Sequence, residues 1–264
     1  MEFLVEQFGN WRFYLLGAYP NGPVGGLFLN VSMAILCLSI SFFIGAIFGL
    51  GRLSYRKYIS YPCIIYIEVI RATPVLLIVF WFYFFIPSIL GKNISLFWSA
   101  VISLSVYATA YIAEIVRAGV LAVPAGQMEA ALSTGMTRLQ SLRVVILPQA
   151  FRMMIPSFVS FFISLFTDTS VTYIIGLVEL TQAGIIVSQR QPNRMFAAYL
   201  CVAAGYFIFC FGMSHLARML EKRFGVRDLS SYRPTVLRKD LSLAPPCKAE
   251  EELAERLLEK PLSR

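Results

Sequence analysis

The sequence predicts an all-α, polytopic membrane protein with five transmembrane helices and a short structured insert between the third and the fourth. Three observations lead there. Hydrophobic residues make up 58% of the 264 and charged ones only 14%, whereas a soluble domain is about 25% charged. The apolar residues gather in runs long enough to cross a bilayer, which takes about 20 residues of helix. The Lys and Arg residues behind the net charge of +8 flank those runs instead of forming one stripe. That pattern fits the cytoplasmic face of a membrane and argues against nucleic acid.

Residues 1–23 mix aromatics with turn formers, and Trp11, Tyr14 and Tyr19 suit an extracytoplasmic segment lying at headgroup level. No short apolar core with a small-residue cleavage pattern precedes the first run, so the first span is expected to remain as an anchor. The apolar region as a whole covers 24–220, and its first span runs over about 24–50. There Ser41, Gly45 and Gly49 recur every four residues, a stripe that lets another helix approach closely and is compatible with a face for pairing subunits. A basic loop, GRLSYRKYISY, follows with Arg52, Arg56 and Lys57. The second apolar segment is interrupted at Glu68, Arg71 and Pro74, then runs clean over 75–90, where Pro87, Gly91 and Asn93 mark a turn. The third span, about 94–118, carries Glu114 and Arg117 near its far end, and the fourth, about 154–177, carries Asp168 part-way along. Residues 179–195 read as a polar loop and 196–220 as the fifth span. The hydrophilic tail, 221–264, ends in AEEELAERLLEK, expected to form a short solvated helix.

Charge sets the orientation. One set of loops holds Arg52, Arg56, Lys57, Arg138, Arg143, Arg152 and the basic residues from Arg218 to Lys239; the other holds only Arg12, Lys92, Arg190 and Arg194. Basic residues accumulate on the cytoplasmic side. The N-terminus is therefore expected outside, with the insert and the tail in the cytoplasm, as an odd number of spans requires. Five cysteines without a CxxC pair or a neighbouring His indicate neither a metal site nor a disulfide framework.

The insert, 124–152, has its own local code. Residues 127–134 are good helix formers, with Glu129 in the first turn where a carboxylate complements the helix dipole. Gly135 is placed to stop this helix in a left-handed conformation. Thr137 and Gln140 have capping-box spacing for a second helix, expected to run through Leu139, Leu142, Val145 and Ile146 until Pro148 interrupts it. A smooth, Ala-rich helix next to membrane spans suits a groove in another protein. A DNA-reading helix-turn-helix looks similar, but spans tether this pair at both ends within a few residues.

These residues also carry a resemblance. Glu129-Ala130-Ala131, Gly135 and Ile146-Leu147-Pro148 resemble the cytoplasmic loop of permease subunits of bacterial ABC importers. EVIRATP at 68–74, YIAEIVRAG at 111–119, PAGQ at 124–127, LPQAFR at 147–152 and DTS at 168–170 resemble the polar amino acid permeases of the histidine, glutamine and glutamate uptake type. The similarity covers roughly 24–220, and the order of the motifs along the spans makes it specific. Thr167 departs from it, standing where the family usually has Lys. The resemblance implies a subunit that pairs with a second permease copy, identical or homologous, with a cytosolic ATPase dimer and with an extracytoplasmic amino acid-binding protein. It also implies that the loop around Gln127, Glu129, Ala130, Ala131, Gly135, Ile146, Leu147 and Pro148 docks on the ATPase. Independently of that, no GxxxxGK[ST] stretch occurs, so ATP is expected to be bound by a separate subunit and this chain to need no cofactor of its own.

Glu68, Arg71, Glu114, Arg117, Asp168 and Ser170 are the candidate path or gate residues. Intramembrane ionisable groups usually face a cavity or a partner charge. Glu68 with Arg71, and Glu114 with Arg117, stand three apart on one helix face. They either line the inner end of a path or neutralise each other at the lipid interface. Asp168 could meet a substrate ammonium or hydrogen-bond to a neighbouring helix. A membrane enzyme is a weak alternative, because one His and the absence of HExxH or GxSxG leave little to catalyse with. A carrier driven by an ion gradient is the other alternative, and it gives no reason for a capped helix pair.

Overall fold

A computed structural model describes residues 11–91 and 94–224. The expectations for residues 1–10, for Lys92 and Asn93 and for the tail from 225 onward lie outside the described residues. After α1 (Trp11–Leu16) come the long α2 (Gly26–Arg52) and α3 (Lys57–Ala72). Next, α4 (Val75–Phe80) passes through a π turn (Trp81–Phe85) into α5 (Ile86–Leu90), and the long α6 (Leu96–Ala122) follows. The insert forms α7 (Ala125–Ser133) and α8 (Arg138–Ser141), and a second π turn (Leu142–Ile146) leads into α9 (Leu147–Asp168). A 3-10 segment (Thr169–Ile175), α10 (Leu180–Arg190), a 3-10 turn (Pro192–Arg194) and α11 (Met195–Phe224) complete the described chain. Among the described residues there is no strand, only two isolated bridges, Gly17 with Val24 and Gly26 with Glu179.

Among the described residues, four helical stretches are long and apolar enough to cross a membrane: Gly26–Arg52, Leu96–Ala122, Arg138–Ile175 and Pro192–Met219. The expected second span is not a straight rod. Its two arms, Lys57–Ala72 and Val75–Ile89, are bent by 105°, so the count reaches five only if this broken pair is one span. Pro74 explains the break. Its ring pushes Thr73 into an extended conformation (φ −95, ψ 130), which ends α3.

Two further expectations change. Pro148 does not end a second insert helix, because it takes one of the first positions of α9, where a missing N–H is tolerated. The π turn before it closes with Leu147 N–H donating to the Leu142 carbonyl, so helix continues from the insert into the fourth long stretch. The stretch at 179–195 is likewise not a polar loop. Glu179 caps α10, its carboxylate accepting from the Thr181 and Gln182 N–H groups at 2.8 and 2.9 Å. Tyr14 is buried against Leu180 and Ala183, while Trp11 and Tyr19 are exposed.

The core sits between α2, α6 and α9, around Met33, Cys37, Leu104, Ala108, Ile112 and Leu165. The Ser41-Gly45-Gly49 stripe is used here, inside the subunit, against α6. Ser41 Oγ donates to the Ser105 carbonyl at 2.9 Å. A Cβ on Gly45 would lie 2.7 Å from an Ile112 methyl, and one on Gly49 would lie 2.5 Å from the Ala113 carbonyl oxygen. This close approach occupies the stripe, so it is not a face for pairing subunits.

Gly49→Leu is therefore expected to destabilise the detergent-solubilised protein by about 1–3 kcal/mol, read as a lower thermal midpoint. Gly212→Leu is the control, since nothing lies within 4 Å of a Cβ built there. An equal loss in both would sink the packing argument.

Candidate functional site

The insert folds as its local code predicts at both caps. Gly135 has φ +87, and the Gly135 and Met136 N–H groups donate to the carbonyls of Leu132 (3.0 Å) and Ala131 (3.3 Å). That pair of bonds is a Schellman motif, which a glycine at this point makes accessible. The Thr137–Gln140 capping box is complete, with Thr137 N–H donating to Gln140 Oε1 at 2.9 Å and Gln140 N–H to Thr137 Oγ1 at 3.4 Å. The first helix starts slightly earlier than expected, with Gly126 inside it and Pro124 before it. Gln127, Glu129, Ala130, Gly135 and Pro148 are exposed, Leu147 is half-buried, and Ala131 and Ile146 are buried. The last two thus hold the insert onto the bundle, leaving the Gln127–Glu129–Ala130 face open. A side-chain bond from Gln149 Nε2 to Gln127 Oε1, 3.2 Å, joins α7 to α9.

Four of the candidate charges, Glu68, Arg71, Glu114 and Arg117, form one cluster with Arg52 across three helices. Glu114 and Arg117 on α6 pair as their spacing predicts, with Arg117 Nε 3.1 Å and Nη2 2.5 Å from the carboxylate. Glu68 and Arg71 on α3 reach elsewhere. Glu68 accepts from Arg52 at 2.7 Å, while Arg71 stands 3.8 Å from Glu114 with its guanidinium 5.5 Å from the Tyr111 ring centroid. Arg52, at the end of α2, joins the two carboxylates, since it also meets Glu114 at 3.1 Å. In the sequence Arg52 shows only as a loop charge that orients the chain. Its position one turn beyond Gly49, at the end of the close-packing stripe, was the available signal.

Asp168 closes α9 and is half-buried, and its carboxylate interacts with the Tyr107 hydroxyl. Tyr107 and Tyr111 lie one turn apart on α6 with ring centroids 4.7 Å apart, and Tyr111 stacks on Phe161 at 5.5 Å. Arg71, Tyr111, Tyr107 and Asp168 therefore stand in sequence along α6, with a cation at one end and a carboxylate at the other. Ser170 is half-buried in the following turn. The threonines beside Asp168 divide: Thr169 and Thr172 are buried, and Thr167 is exposed, 3.9 Å from Cys210.

Thr169 belongs to a second polar centre that the sequence did not reveal. Asn30 Nδ2 donates to Thr169 Oγ1 (2.9 Å) and Glu179 Oε2 (3.0 Å), and Asn30 Oδ1 accepts from the Leu180 N–H (3.0 Å). The Tyr206 hydroxyl donates to the same Glu179 oxygen at 3.0 Å. Asn30 and Glu179 are fully buried. Burial pushes the Glu179 carboxyl up, against the lowering effect of the bonds from Thr181, Asn30 and Gln182. Four segments are fastened at this point. The residues are spread over 30–206, so no local spacing could have announced them.

Comparison with known proteins gives a consistent result. A family model described as "Binding-protein-dependent transport system inner membrane component" matches residues 41–226. The probable glutamine ABC transporter permease protein GlnP of Bacillus subtilis is 34% identical over 214 residues, 79% of this chain and 98% of that protein. The L-cystine transport system permease protein TcyB of the same organism is 35% identical over 201 residues, 75% of this chain and 85% of that protein. The glutamate/aspartate import permease protein GltK of Escherichia coli is 31% identical over 209 residues, 75% and 91%. Among solved structures, the crystal structure of an amino acid ABC transporter with histidines has a TM-score of 0.74 and 31% identity, covering 84% of this chain and 97% of that one.

Asn30→Leu removes an amide that serves the Thr169 hydroxyl, the Glu179 carboxylate and the Leu180 N–H. Thr169 and Glu179 keep other partners, but the buried Leu180 N–H is orphaned at a cost of about 1–3 kcal/mol, so the variant is expected to unfold below the parent in detergent. An unchanged thermal midpoint would show that these bonds contribute nothing.

Proposed function

This chain belongs to the family of binding-protein-dependent transport system inner membrane components, and from that premise we propose that it is the permease subunit of an ATP-driven importer carrying a polar amino acid across the cytoplasmic membrane. The single observation that carries the energetic part of the proposal is the insert. A permease without a nucleotide site must receive its bias between conformations through a protein contact, because only differential binding shifts such an equilibrium. The capped α7, with Gln127, Glu129 and Ala130 exposed and the turn fixed at Gly135, is the surface suited to that contact. In this reading Gln127, Glu129, Ala130 and Gly135 meet the ATPase, and Ala131, Ile146, Leu147 and Pro148 transmit the load into α9.

The partners follow. They are a cytosolic ATPase dimer, a second permease copy to complete the pathway, and an extracytoplasmic binding protein that delivers the amino acid. ATP is bound by the ATPase, and this chain performs no chemistry of its own. The charge asymmetry supports an N-terminus outside and a cytoplasmic C-terminus in a multi-pass chain of the inner membrane. Substrate identity in the relatives spans glutamine, cystine and glutamate or aspartate. All share the α-ammonium and α-carboxylate groups, and Arg71 and Asp168 are the complementary charges along α6. Glu68, Glu114 and Arg117, with Arg52, are assigned to the inner gate, where opening requires exchange of ion-pair partners; Ser170 lines the path beside Asp168.

Uptake in proteoliposomes with the partner ATPase and binding protein tests this. Transport is expected only with ATP, and ATP-independent transport driven by an ion gradient would overturn it. Glu129→Lys is expected to lower ATP-driven uptake by about tenfold in an assembled complex; full uptake would remove the assignment of α7. Arg71→Ala is expected to abolish uptake while assembly and ATP hydrolysis persist, and unchanged uptake would remove Arg71 from the path.

A further inference from the structure

The insert touches the bundle at one place that the proposed function does not use. The Arg138 guanidinium, on the first residue of α8, lies 4.8 Å from the centroid of the Tyr55 ring. Tyr55 sits in the connection between α2 and α3 and is 84% exposed, so core packing does not force the contact. Both sides of the contact are stiff. Arg138 is held by the Thr137–Gln140 capping box. The connection is tied down by Ser54 N–H donating to the Gly51 carbonyl (3.0 Å) and Ser60 Oγ donating to the Arg52 carbonyl (2.8 Å). Its base is therefore Arg52, the residue that holds Glu68 and Glu114 together.

We propose that the Arg138–Tyr55 contact is the joint through which movement of the insert reaches the Arg52 ion-pair cluster, which makes Tyr55 and Arg138 positioning residues for transport. The proposal rests on the reading of the chain as an ATP-driven permease. A guanidinium over an aromatic face is attracted along the ring normal, and it slides sideways more easily than a bidentate ion pair does. Such a contact stays engaged while α8 shifts against the connection. Displacement of α8 draws on Tyr55, the stiff turn transfers it to Arg52, and Arg52 changes its hold on the two carboxylates. The Gln127–Gln149 bond keeps α7 in step with α9 on the other side of the insert.

The test is amino acid taken up per ATP hydrolysed, in proteoliposomes holding the complete complex of permease, ATPase and binding protein. Tyr55→Ala is expected to keep binding-protein-stimulated hydrolysis and lose about two- to five-fold in uptake per ATP, the range an exposed cation–π contact supports. Tyr55→Phe, which keeps the ring face, is expected to match the parent. Arg138→Gln is expected to reproduce Tyr55→Ala, and the double variant to be no worse than either single one. An unchanged ratio in Tyr55→Ala, an equal loss in Tyr55→Phe, or additive losses in the double variant would each overturn the joint. If Tyr55→Ala does not assemble, the ratio in assembled Arg138→Gln decides: a loss supports the joint and a parental value overturns it. Parental uptake that ignores ATP would instead overturn the underlying reading and the joint with it, and the parent protein alone reveals that case.

Discussion

The close approach of α2 to α6 is the constraint on which the rest depends. In a bilayer no hydrophobic force drives helices together, so van der Waals contact between small residues and buried hydrogen bonds must do it. Gly49 sets its α-carbon against the Ala113 carbonyl, and the next residue along α6 is Glu114. One turn beyond Gly49 comes Arg52, which thereby arrives 3.1 Å from that carboxylate. The backbone contact and the ion pair are two consequences of one helix crossing. Widening the crossing by a side chain would separate the charges as well.

The electrostatics of this end of the bundle are unbalanced by design of position. Glu114 faces Arg52, Arg71 and Arg117, while Glu68 forms its ion pair with Arg52 and acts on Arg117 from farther off. Arg71 is the least committed of the three guanidinium groups, at 3.8 Å from its carboxylate and beside the Tyr111 ring. A group with unused donors at the edge of such a cluster can exchange partners at small cost, whereas Arg117 is locked by several short bonds. The cluster thus combines a fixed half with a labile half. At the other end, the Asn30–Glu179–Tyr206 centre is held from several segments at once, because Glu179 accepts from Asn30, from Tyr206 and from its own helix while Asn30 accepts from Leu180.

What the sequence makes legible is local. The glycine stop at 135, the capping box at 137–140 and the Glu114–Arg117 pair are each set within a few residues, and each is present in the structure. The long apolar helices are legible from composition and run length for the same reason. Features set by distant segments are not legible. Glu68 stands three residues from Arg71 but pairs with Arg52, because ion pairs follow helix crossings as well as helix periodicity. The Ser41-Gly45-Gly49 stripe announces a close neighbour and cannot say that the neighbour is α6. Proline is read ambiguously too. Pro74 breaks a helix, while Pro148 opens one, and only the widened turn ahead of the second explains the difference.

That widened turn, Leu142–Ile146, has a consequence for how the chain can vary in length. A π turn accommodates one residue more than the same stretch of α-helix would hold. Removing that one residue within the turn would restore regular α-helix with the flanks still in phase, whereas removing one from the regular helix at the start of α9 would rotate everything before it by about 100° around the axis of α9. In the second case the whole insert would turn, carrying Arg138 off the Tyr55 ring and the exposed face of α7 to a new bearing. Connections between membrane helices ordinarily absorb insertions and deletions. Here that tolerance is confined to the widened turn, and elsewhere along this helix the number of residues is an angular setting that aims the partner surface.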